Sequence, residues 1–132
     1  MFHIQYIIIK MNKYILPFST IIVFIVLFFL HKYGISEYWY IYFPYLDIVN
    51  HFLGGVGIAM TILWLSKNTK YIIIFTIIAG IIWEVFEVYF DITGWPVSSI
   101  DYKLDTVKDL IMDTYGAIAV WLIAKKYRNK IN

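Results

Sequence analysis

Residues 71–89 read YIIIFTIIAGIIWEVFEVY, and the fold turns on five of them, Trp83-Glu84-Val85-Phe86-Glu87. The run is long enough to cross most of a bilayer core of about 30 Å at about 1.5 Å per helical residue. Ionised carboxylates inside it are costly, so acids in such places are protonated, paired or bound to a cation. Partners for Glu84 and Glu87 must come from elsewhere in the chain. The candidates are Asp47 and His51 before the run and Asp105, Asp109 and Asp113 after it.

Three more apolar stretches flank this one, giving spans over about 14–30, 47–65, 71–89 and 106–124. The expected fold is all-α, a four-helix integral membrane bundle in which residues 1–132 form a single transmembrane domain. Lys10 and Lys13 precede the first span, as in a signal peptide, but His31-Lys32-Tyr33 stands where a cleavage site would have small residues. The segment therefore reads as a retained span. Tyr38-Trp39-Tyr40-Ile41-Tyr42-Phe43-Pro44-Tyr45 reads as an interfacial aromatic belt lying along the membrane surface, with Pro44 ending any helix before it. Ser66-Lys67-Asn68-Thr69-Lys70 is a tight connection, and Gly94-Trp95-Pro96 marks a turn in the longer loop that follows. Short connections make neighbouring spans antiparallel.

Composition places the chain in a membrane. Of its 132 residues 61% are apolar, and the mean hydropathy is +0.72, well above the globular norm. The expected location is the cell membrane, as a multi-pass protein with membrane lipids as its partners. A net charge of +2 argues against nucleic acid as a partner. With no cysteine, any metal must be held by oxygen and imidazole ligands. Lys10, Lys13, Lys67, Lys70, Lys125, Lys126, Arg128 and Lys130 fall on one side of the spans, and Lys32, Lys103 and Lys108 on the other. Eight basic residues against three put both termini in the cytoplasm. Every acid then lies on the outer side or in the outer half of a span, although only basic residues were counted.

Helical spacing sorts these residues onto faces, because positions three or four apart sit above one another. Asp47 and His51 share a face that continues through Gly54 and Gly55. Gly80, Glu84, Glu87 and Asp91 form a second stripe, and Asp105, Asp109, Asp113 and Gly116 a third. All three run inward from the outer helix ends toward small residues, which let membrane helices approach closely. The expectation is one outward-facing pocket in which Asp47, His51, Glu84, Glu87, Asp109 and Asp113 ligate a divalent cation.

Such ligands suit Mg2+, Mn2+, Zn2+ or Fe2+. The cation would act on a lipid-linked phosphate or other envelope substrate by polarising the phosphoryl oxygen and activating water. His51 or Glu87 would then be the catalytic base, and Lys103 and Lys108 are the basic residues best placed to hold a phosphate. Plainer roles exist: Thr106-x-x-Asp109 matches a helix-start signal, Asp105 suits a surface loop, and a lone histidine serves well as a buried hydrogen-bonding residue.

The segments Asp47-x-x-x-His51-Phe52-Leu53-Gly54-Gly55, Trp83-Glu84-x-x-Glu87 and Asp105-Thr106-x-x-Asp109-Leu110-x-x-Asp113-Thr114-x-Gly116-Ala117 resemble the YjdF-like family of uncharacterised bacterial and archaeal membrane proteins. More distantly they are similar to the VanZ-like family, associated with teicoplanin resistance. The likeness covers the last three spans. It implies a fold and a membrane location.

Two other classes compete with a metal site. Chains of Asp, Glu and His inside spans also mark proton or ion relay and transport. Four spans are few for a pore, so that reading calls for a homo-oligomer, and the inner halves of the spans carry no ionisable residue to continue a path. The other alternative is a non-catalytic accessory protein that binds a lipid.

Overall fold

The computed structural model describes the backbone of residues 2–66, 68–92 and 95–128, and the side chains of residues 14–66, 68–92 and 95–126. Lys67 and Gly94 lie outside the described residues, as do Lys130 and the side chains of Lys10, Lys13 and Arg128. The chain runs through α1 (Phe2–Ser36), a short α2 (Trp39–Tyr42), α3 (Tyr45–Ser66), a 3-10 turn (Thr69–Tyr71), α4 (Ile72–Tyr89) and α5 (Ile100–Arg128). There is no strand among the described residues. Three helical segments, Tyr14–Ser36, Tyr45–Ser66 and Thr69–Tyr89, are long and apolar enough to cross a membrane.

The expected fourth span, 106–124, lies within α5, but this helix starts six residues before Thr106. Ser99 accepts a hydrogen bond through Oγ from Tyr102 N–H at 3.1 Å, capping the first turn. Asp101 follows in that turn, where the helix dipole favours an acid. Thr106 and Asp109 are therefore interior to the helix, and the start signal that they match is not used. The charged first half of α5 keeps it out of the apolar class of the other three.

Local chemistry also sets the ends of the other helices. Tyr38 has φ 57°, a left-handed conformation that breaks the chain away from α1 and turns it into α2. Pro44, at the junction with α3, cannot extend α2. The Asn68 side chain accepts from Lys70 N–H at 3.0 Å and caps the 3-10 turn leading into α4. At the far end of α4 Asp91 takes φ 55°, and Ile92 N–H reaches back to the Glu87 carbonyl at 3.0 Å, closing the helix.

α3 is the central element, packed on α1, α4 and above all α5. Glycines set the α3–α5 approach. A Cβ on Gly55 would sit 2.7 Å from Asp113 Cα, and one on Gly116 would sit 2.7 Å from Val56 N. On the other side of α3, a Cβ on Gly57 would come within 3.2 Å of Phe24 on α1. The polarity is inverted relative to a water-soluble bundle. Ile82, Val85, Leu65 and Ile123 face outward, whereas Thr76, His51, Glu84, Asp109 and Asp113 are buried. Only a lipid exterior makes that arrangement favourable.

Candidate functional site

The polar interior lies at one end of the bundle, where the start of α3, the end of α4 and the first half of α5 meet. Asp47 and His51 sit one turn apart on α3, and their separation of four residues puts Asp47 Oδ1 3.7 Å from His51 Nε2. Asp109 enters from α5, with Oδ2 also 3.7 Å from His51 Nε2. One ligand atom from each of Asp47, His51 and Asp109 lies within 4.8 Å of the others, a grouping that could hold a metal ion. Donor atoms around an ion bound at about 2.0–2.2 Å stand roughly 3–4 Å apart, so a small contraction would close this set on one ion.

Asp113 occupies the other side of the imidazole, with Oδ2 3.7 Å from His51 Nδ1. Its carboxylate rests between glycines: Oδ1 lies 3.5 Å from where a Cβ on Gly54 would be, and Oδ2 2.6 Å from one on Gly80. A histidine with one nitrogen toward a ligand set and the other toward a carboxylate has the usual orientation of a metal-bound imidazole.

The two glutamates of the α4 motif go separate ways. Glu84 is buried and accepts a hydrogen bond from Thr106 Oγ1 at 2.8 Å, while its Oε1 has no hydrogen-bond partner. Glu87, half-buried, accepts from the indole N–H of Trp83 at 2.8 Å, a contact within its own helix. Of the six expected ligands, then, Asp47, His51 and Asp109 come together. Asp113 backs the histidine, Glu84 pairs with α5, and Glu87 pairs with Trp83.

Two parts of the site were not anticipated from sequence. Lys108, which the sequence offers as a phosphate-holding residue, donates to Asp47 at 2.9 Å and to Asp105 at 2.5 Å, with Asp109 Oδ1 at 3.4 Å. The last distance is an ion-pair contact without hydrogen-bond geometry, so Asp109 Oδ1 is buried and accepts no hydrogen bond. Lys103 is exposed. The second part joins α1, α2 and α3. Tyr40 Oη lies 2.9 Å from His31 Nδ1 and accepts from Asn50 Nδ2 at 2.6 Å, and the His31 ring stands edge-on to Trp83 at 5.8 Å. The sequence places Tyr40 in the surface belt. Its neighbours Ile41 and Tyr42 do face outward, but the turn at Tyr38 tucks Tyr40 inward. Burial, reinforced by the charges of Asp47 and Glu87 and opposed by the Asn50 hydrogen bond, pushes the Tyr40 hydroxyl up to about 12.

A family model described as "Predicted membrane protein (DUF2238)" matches residues 1–130. This is the family that the YjdF-like resemblance pointed to, and the more distant VanZ-like resemblance finds no support. No curated protein and no solved structure matches the chain.

Proposed function

For a chain that belongs to the DUF2238 family of predicted membrane proteins, and that is a multi-pass membrane protein by that family and its three apolar spans, we propose a single divalent-cation site built from Asp47, His51 and Asp109. The observation that carries it is His51 itself. Nε2 faces the carboxylates of Asp47 and Asp109, each at 3.7 Å, the spacing of donors that share one ion, while Nδ1 faces the carboxylate of Asp113 on the opposite side, also at 3.7 Å. A histidine used through both nitrogens in this way has none left to abstract a proton, so we assign His51 to the metal and Asp113 to positioning it. Oxygen and imidazole donors favour Mg2+, Mn2+, Zn2+ or Fe2+.

The site belongs to a four-helix bundle in which α5 supplies the fourth span. At 29 residues α5 is about 43 Å long, enough to cross the core. The eight-to-three basic count supports cytoplasmic termini and an outward-facing pocket. A cation there would polarise the phosphoryl oxygen of a lipid-linked phosphate or similar envelope substrate.

The test is metal analysis of purified full-length protein in detergent, alongside thermal unfolding with and without chelator. About one divalent ion per chain is expected, with a stabilisation of about 2.7 kcal/mol when the ion is at 100 times its dissociation constant. Asp109→Asn should lose the ion. A metal-free protein with a chelator-independent Tm would sink the proposal and leave a protonated cluster or a proton relay.

A further inference from the structure

Lys108 is a cation already seated among the proposed ligands. Its ammonium pairs with Asp47 and lies 3.4 Å from Asp109, two of the three residues assigned to the metal, and it also pairs with Asp105, which is not one of them. Exposure is graded along this set. The side chain of Asp109 is 4% exposed, that of Asp47 29%, that of Lys108 35% and that of Asp105 36%. Lys108 therefore stands at the mouth of the pocket, between the buried ligands and the outside. Its fit is incomplete, because Asp109 Oδ1 is buried beside it and still accepts no hydrogen bond.

We propose that Lys108 is a displaceable stand-in for the cation, and that its release creates a binding site for an oxyanion such as a phosphate. An ammonium and a divalent ion cannot share Asp47 and Asp109 without strong repulsion, so loading the metal expels Lys108. Lysine is a compact charge on a flexible four-carbon stem, able to make that move. Asp105, three residues earlier on the same helix face, keeps it tethered at the mouth. There the ammonium, moved off Asp47 and Asp109, and the metal would stand as two neighbouring cations at the mouth, the pairing that holds phosphate oxygens elsewhere. The inference rests on the metal reading above and deepens it: the substrate group is anionic, and it is admitted only after the metal.

The experiment measures Mn2+ binding to the full chain in detergent by electron paramagnetic resonance, and inorganic phosphate binding with and without Mn2+. Wild type should bind phosphate only when Mn2+ is present. Lys108→Gln should bind Mn2+ roughly three- to tenfold more tightly, the worth of a partly exposed ion-pair network, and lose the Mn2+-dependent phosphate binding. Lys108→Arg should keep it. A merely structural lysine would make Lys108→Gln weaker for both ligands, and that result, or no change in either, overturns the inference. If wild type and Lys108→Gln both fail to bind Mn2+, the metal reading falls as well. If both bind it equally, only the role of Lys108 falls. Lys108→Met, which keeps the apolar stem, replaces Lys108→Gln if the latter does not fold.

Discussion

Gly80 on α4 carries the carboxylate of Asp113 on α5, leaving 2.6 Å between Asp113 Oδ2 and the place a Cβ would take. The same aspartate meets Gly55 on α3 through its backbone, so one residue is held by glycines of two helices in two different ways.

The two contacts predict opposite outcomes for the same substitution. In Gly80→Ala the methyl meets the free end of a side chain, which can swing aside, so stability in detergent should stay within about 1 kcal/mol of wild type while metal affinity drops. Gly55→Ala and Gly116→Ala put a methyl into backbone, which cannot yield without separating α3 from α5. Each should cost about 1–3 kcal/mol or more, read as a lowered Tm. Equal effects at Gly80 and Gly55 would argue against the observed packing.

The split among the acidic residues gives a second prediction. His51→Ala and Asp109→Asn should abolish divalent-ion binding measured by calorimetry, whereas Glu87→Gln should leave it intact. The last change weakens only the hydrogen bond from Trp83, worth about 1 kcal/mol.

Tyr40→Phe removes the hydroxyl that ties His31 to Asn50 and leaves the Asn50 amide without its acceptor, at a cost of about 1–3 kcal/mol. Because the hydroxyl is raised from about 10 to about 12, the neutral form is favoured in the folded state. Its contribution is therefore complete below pH 10 and fades as the pH rises toward 12. The difference in Tm between wild type and Tyr40→Phe should thus be constant from pH 6 to 9.

Orientation is tested by fusion. A reporter after Asn132 should be active only in the cytoplasm and one inserted near Ser98 only outside. Reversed signals would turn the pocket inward and remove the case for an envelope substrate.

Much of the site was legible because it follows helical spacing. Asp47 with His51, and Asp109 with Asp113, are four apart, and each stripe ends in the glycines that bring the helices together. The destinations of individual side chains were less legible. Lys108 meets Asp47 across 61 positions of sequence, and that meeting depends on the register of α5 against α3, which no local pattern sets. Glu84 and Glu87 look equivalent in the sequence, yet a rotation of about 300° over three residues points one at Thr106 and leaves the other beside the indole four residues before it. The inward turn of Tyr40 depends on a left-handed tyrosine, a conformation that composition does not announce.

The division of the pocket between α3 and α5 also bears on how the protein is made. Asp47, His51 and Glu84 are synthesised before the helix that carries Thr106, Lys108, Asp109 and Asp113. Until α5 packs against them, Asp47 and Glu84 lack the partners that Lys108 and Thr106 supply. Packing of the last helix against α3 and α4 is the step that brings these partners in.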